Sequence, residues 1–175
     1  MRSILSMGLA MLSAPTTAEV VSADAHGFEV QESVSLVVPP AQAYAAFGRI
    51  GSWWNPEHSY SGNSANLRLA LQAGGCFCES DPKKGGGVEH MRVSVVIPGE
   101  RIVMTGSLGP LLYQAATGVM DVKFDRIAGG TKVTLNYRAA GFAKGDADKL
   151  APLVDSVLAD QVKRYRAFAA KGGGK

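Results

Sequence analysis

The sequence predicts an α+β domain in which a curved antiparallel sheet of about six to seven strands packs around one long C-terminal helix. Three observations carry this. Between residues 28 and 140 apolar side chains recur at every second position in short runs separated by Gly, Pro and Asp turns. From Leu150 to Phe168 the apolar spacing changes to every three or four residues. The 175 residues, 46% hydrophobic and 19% charged, suit one domain that buries its own core.

The elements follow in order. Residues 28–38 form a strand in which Phe28, Val30, Val34 and Leu36 mix with Glu29, Gln31, Glu32 and Ser35. Pro39-Pro40 stops it, and Pro40 fits the first turn of a short helix carrying Ala43, Tyr44, Phe47 and Ile50. Asn55-Pro56 breaks any helix before it. Leu67, Leu69 and Leu71 alternate as a strand, Gly74-Gly75 turns the chain, and residues 76–79 form a short strand. DPKKGGG is a hairpin loop, with strands over 88–97, 101–108, 119–127 and 131–140 beyond it. The last helix spans about 20 residues, with Asp146 or Asp148 as its cap. Short turns between successive strands make the sheet antiparallel with one apolar face. That face and the helix stripe must cover each other, and a sheet of this width curls around the helix. The short helices after the first strand then close one end, leaving room for a cavity between sheet and helix.

Residues 1–25 read as a secretory leader. Arg2 precedes an apolar run over 4–12, and small residues follow with cleavage points after Ala18 and Ala25. Residues 26–172 are then a single domain, periplasmic or secreted; an uncleaved chain would be cytoplasmic. The apolar run is too short to cross a bilayer, and no later segment is long and apolar enough to do so.

VPPAQAYAAFGRIGSWW at the first strand-to-helix passage, AGGCFCES and PGERIVMTGSLGP in the middle, and TKVTLNYRAAG before the last helix are similar to the START-like (SRPBCC) superfamily, including its polyketide cyclase/dehydrase and chaperone-ATPase-activator members. The resemblance covers nearly everything after Phe28. It implies the helix-grip fold and an apolar cavity between sheet and long helix. It implies no shared catalytic set, because this fold hosts carriers, cyclases, hydrolases and chaperone partners.

Candidate site residues fall into three groups. GSWWNPEHSYSG (51–62) concentrates Trp53, Trp54, His58 and Tyr60, rigid surface with polar tips. Adjacent residues cannot both face one core, so one indole lines a cavity while the other caps it; alternatively both seal the end of the core. Met104 and Met120, on the apolar faces of their strands, and Gln161, on the helix, are expected as further wall residues. LGPLLYQAATG (108–118) is unusually apolar for a connection. Leu111 and Tyr113 in it suit a lid, a membrane-surface contact or a protein contact.

Cys76, Cys78, Glu79, Glu89 and His90 form the third group. On one regular strand the two cysteines would stand about 6.6–7 Å apart, at the limit for a disulfide, so a bond needs a local bulge and is not expected. If Cys78 lies opposite His90, then Cys76, Cys78 and His90 share a face and suit zinc or copper. A register one residue away turns His90 to the side of Phe77 instead. Glu79 with His90 is the expected acid/base pair if the protein is an enzyme.

Net charge is +3, with lysines and arginines scattered, so nucleic-acid binding has no support. No phosphate loop, dinucleotide fingerprint or HExxH occurs, and no cofactor is expected. The leading expectation is an exported protein that binds a small apolar or amphipathic molecule. A cyclase-, dehydratase- or hydrolase-type enzyme using the same cavity is the alternative, and a metal or redox role for the Cys-x-Cys pair with His90 is another.

Overall fold

Val133, Leu135, Tyr137 and Ala139 are buried, while Lys132 and Arg138 between and beside them are exposed. That period of two decides which face of each strand meets the core. The computed structural model describes residues 17–173. The strands are β1 (Thr17–Ala23), β2 (Gly27–Leu36), β3 (Leu67–Leu69), β4 (Cys76–Asp81), β5 (Gly86–Ile97), β6 (Arg101–Gly106), β7 (Thr117–Ile127) and β8 (Gly130–Ala140). All pairings are antiparallel, in the order β1-β2-β8-β7-β6-β5-β4-β3. Helix α1 (Pro40–Gly48) follows β2, and α2 (Ala147–Ala170) crosses the inner face of the sheet.

The sheet has eight strands, one more than the upper expectation. The additional strand is β1, which lies in the stretch read as a leader; the apolar run 4–12 lies outside the described residues. β1 pairs with β2 from Thr17 opposite Ser33 to Ala23 opposite Phe28. The Asp24 carboxylate closes the hairpin by accepting the N–H groups of His26 at 2.7 Å and Gly27 at 2.9 Å.

Helix α2 buries Leu158, Val162, Tyr165 and Ala169 against the sheet and α1. The Tyr165 hydroxyl donates to the Ala43 carbonyl at 2.7 Å, and Arg49 donates to the Gly173 carbonyl at 2.9 Å, so the helix is fastened along its C-terminal half. At the other end Asp146 occupies the cap position without a capping bond, and Asp148 lies in the first turn. Pro152 removes one amide donor from the second turn, so this end is less firmly tied.

Three pairings carry bulges: β1–β2 between Val20 and Ser22, β4–β5 between Phe77 and Cys78, and β5–β6 between Val93 and Val95. Each bends its strand and tightens the local twist. The parity of β2 also places Glu32, grouped above with the polar side of that strand, among Val30, Val34 and Leu36. It is fully buried beneath α2, where it faces Asp155.

Candidate functional site

The cavity is built from four segments that converge at the N-terminal end of α2. Residues 54–60 supply Trp54, His58 and Tyr60, and β5 supplies His90. The β6–β7 connection supplies Leu108, Pro110, Leu111 and Tyr113, while α2 supplies Leu150, Leu153, Val154, Val157 and Leu158. Its volume is about 470 Å³, the size of a small-molecule site.

Local chemistry explains why the aromatic stretch stays open here. Pro56 starts a 3-10 turn over Pro56–His58, and the Asn55 side chain caps it by accepting the Glu57 N–H at 3.0 Å. The Asn55 amide groups then tie the turn to α2, donating to Gln161 Oε1 and to Asp160, both at 2.8 Å. Both indoles are buried, and the arrangement differs from either expectation: neither caps the cavity mouth, and only one reaches the cavity. Trp53 points into the core, donating to the carbonyls of Ala46 at 3.1 Å and Phe47 at 3.3 Å and packing on Phe47 and Tyr165. Trp54 lines the cavity, donates to the His58 carbonyl at 2.9 Å and rests on Phe77.

The polar end of the cavity depends on the β4–β5 bulge. Phe77 opposes Met91 and Cys78 opposes Glu89, leaving His90 as the extra residue. His90 and Met91 therefore both point inward, as adjacent residues on a regular strand cannot. Neither regular register weighed above is formed: Cys76 and Phe77 keep the first, Cys78 onward is shifted by one, and His90 ends on the side of Phe77. His90 lies 4.8 Å from the Phe77 ring and 5.7 Å from the Tyr60 ring.

Glu79 is buried one residue beyond Cys78 and accepts the Tyr60 N–H at 3.0 Å, the Ser61 N–H at 2.5 Å and His90 Nε2 at 3.1 Å. Burial raises its affinity for a proton, but the bonds from Ser61, Tyr60 and His90 more than offset this and hold the carboxyl below its ordinary range. Burial lowers the His90 pKa, against the pull of Glu79. Glu79 is thus an ionised acceptor, Nε2 carries the proton, and His90 Nδ1 keeps a free lone pair. His90 itself lines the cavity, and no residue of the described chain engages Nδ1.

The β6–β7 connection is a 3-10 turn over Gly109–Gln114, closed by Ala115 in the left-handed region at φ 55°. Leu111 is buried beneath it, Leu112 and Tyr113 are exposed, and Tyr113 shares the cavity lining with Leu153 of α2. The Tyr60 hydroxyl donates to the Gly109 carbonyl at 2.9 Å and joins this connection to the aromatic turn.

Of the expected wall residues, Trp54, His58, Tyr60, Leu111 and Tyr113 meet at the cavity. Trp53, Met104, Met120 and Gln161 lie in the packed core instead. The hollow sits near one end of the sheet, under the β6–β7 connection, and side chains fill the middle. Leu150, Val154 and Leu158 are wall residues that the sequence reading did not single out; their helical spacing beside Leu153 and Val157 was the available signal.

The metal grouping does not assemble. Cys76 and Cys78 face outward and form a disulfide across a Cα separation of 5.4 Å, while His90 faces the opposite side of the sheet. A bond was not expected for a regular strand; the bulge shortens the span and permits it. Glu89 is the residue that joins the two sulfurs.

No protein-family model and no curated protein matches the sequence. Solved structures do. An uncharacterised protein of Rhizobium leguminosarum superimposes with a TM-score of 0.59 at 17% identity, over 90% of this chain and 99% of its own. A protein of Chromobacterium violaceum gives 0.57 at 15% identity, over 81% and 96%. The di-domain ARO/CYC StfQ of the steffimycin biosynthetic pathway gives 0.55 at 17% identity, over 86% of this chain and 53% of its own. The fold is helix-grip. At these identities the likeness concerns architecture, and the site must be argued from its own residues.

Proposed function

We propose that the protein binds a small apolar or amphipathic molecule between the β6–β7 connection, the aromatic turn and α2. The observation that carries this is the cavity itself: a hollow of about 470 Å³ walled by Trp54, Leu111, Val154, Val157 and Leu158, with His58, Tyr60 and His90 as polar groups on its lining. Apolar walls supply affinity by removing ligand surface from water, and a few polar groups orient the ligand. His90 Nδ1 suits a ligand hydroxyl or N–H donor. Occurrence of the fold in the ARO/CYC protein StfQ and in DynU16, from the dynemicin biosynthetic locus, supports a small-molecule ligand. The apolar run over 4–12 with the small residues after it supports export.

Native mass spectrometry of the protein purified from its host tests the reading. The expected result is an organic adduct that is lost on denaturation and weakened by Trp54→Ala. A bare protein that also fails to bind 1-anilinonaphthalene-8-sulfonate would overturn it.

The Glu79–His90 pair favours a second reading, an enzyme in which His90 Nδ1 accepts a proton from the bound molecule and Glu79 holds the imidazole. Glu79→Gln would then abolish turnover while ligand retention persists. Retention and turnover that both survive would remove this reading and leave the carrier.

A further inference from the structure

The sequence CFCE turns alternate side chains to opposite faces of β4. Cys76 and Cys78 stand outward and half-buried; Phe77 and Glu79 stand inward. Phe77 lies 4.8 Å from His90 and 5.3 Å from Trp54, and Glu79 holds His90 and the aromatic turn. The disulfide therefore brackets a residue that touches two walls of the cavity, and it draws β4 in at the bulge that aims His90.

As a staple this bond does little. It closes a loop with a sequence separation of two, so it removes almost no chain entropy from the unfolded state. Half-exposed bonds of low stabilisation are the ones open to exchange. Across the β4–β5 pairing Cys76 faces Arg92 and Cys78 faces Glu89, and the Arg92 guanidinium is bonded to Glu89 and to the Gly74 carbonyl. The Glu89 carboxylate lies within 4.8 Å of both sulfurs, and Arg92 is the cation that offsets it and favours a thiolate here.

We propose that Cys76–Cys78 is a thiol–disulfide exchange site for an external dithiol, and that its redox state sets the shape of the cavity wall through Phe77 and Glu79. One thiolate of the dithiol attacks Cys78 Sγ. The Cys76–Cys78 bond breaks, Cys76 leaves as the thiolate beside Arg92, and a mixed disulfide remains on Cys78. The second thiolate of the dithiol attacks its own sulfur in that mixed disulfide, releasing Cys78 and the cyclic disulfide. Two electrons pass to the protein, and the two cysteine thiolates take up the two protons that the dithiol gave up. Reduction lets Cys76 and Cys78 relax from 5.4 Å toward regular strand spacing, which displaces Phe77 and Glu79 on the inner face.

The test incubates the folded protein with dithiothreitol, counts free thiols by alkylation and mass measurement, and follows 1-anilinonaphthalene-8-sulfonate binding and tryptophan emission. The expected result is full reduction at unchanged circular dichroism, with the probe's dissociation constant moved at least threefold. Arg92→Gln should slow reduction severalfold, and Cys76→Ser incubated with oxidised glutathione, without dithiothreitol, should hold one glutathione on Cys78 as the other leaves as its thiolate. A bond that yields only in denaturant overturns the exchange site. Reduction that leaves probe binding and emission unchanged overturns the link to the cavity. Reduced wild-type protein supplies both readouts even where a cysteine variant fails to fold.

Discussion

Glu79 accepts His90 Nε2 at 3.1 Å in a setting from which water is nearly excluded. The acceptor also holds two backbone amides of the aromatic turn, so one carboxylate joins β4, β5 and the turn that carries Trp54 and Tyr60. Glu79→Gln keeps the shape and removes the charge. It should cost about 1.5–3 kcal/mol in urea unfolding, the range for bonds to a charged group. A loss below a few tenths would show that the carboxylate does not organise the site.

The same pair fixes a pH dependence. His90 titrates below its ordinary 6.5 because burial disfavours the cation. Its folded pKa is depressed, so its contribution to stability is complete above about pH 6.5 and declines as the pH falls toward the folded value. The stability advantage of wild type over His90→Phe, read from paired thermal unfolding, should shrink as the pH falls below about 6.5. Parallel curves would exclude His90 as its source.

The fold was legible because its signals are local. Alternation over residues 119–140 and the three-to-four spacing of α2 survive any error in long-range pairing. The site was less legible because it depends on one bulge. Whether His90 joins Cys76 and Cys78 or Phe77 and Glu79 turns on a single residue of register, and composition does not report it. The disulfide was discounted for the same reason. Helical spacing marks Gln161 as inward-facing yet cannot tell a filled interior from a hollow one. Strand β1 was hidden because TAEVVSA follows directly on an apolar leader-like run.

Gly106 bears on that bulge. It pairs with Met91 at φ 153°, and a Cβ there would lie 2.5 Å from the His90 carbonyl oxygen and 2.7 Å from Met91 Cα. These are backbone atoms, so a side chain cannot be accommodated by rotation. Gly106→Ala should destabilise the protein and weaken probe binding together. A variant with wild-type stability and binding would show that the bulge tolerates displacement.

The tryptophans separate core from cavity. Trp53→Ala removes an indole packed on Phe47 and Tyr165 and should cost about 3–5 kcal/mol. Trp54→Ala opens the cavity wall, so its main effect should fall on probe affinity. Reversed ranks in a paired unfolding and binding measurement would place the ligand elsewhere.

Glu32 and Asp155 make the last case. Both Glu32 carboxylate oxygens and Asp155 Oδ1 lack a hydrogen-bond partner among the described residues, and burial, with Asp155 opposite, pushes Glu32 from 4.5 up to about 8. The folded pKa is raised, so the folded state binds more protons than the unfolded chain between about pH 4.5 and 8. The contribution of Glu32 to stability is therefore greatest below that window and falls as the pH rises through it, by an amount on the order of a few kcal/mol. Because β2 and α2 meet at this pair, the loosening is felt where the helix covers the sheet. Glu32→Leu replaces a carboxyl that must stay neutral with an apolar group of similar size, and should raise Tm at pH 8 while flattening its dependence between pH 5 and 8. A variant that keeps the wild-type slope would assign the titration to another group.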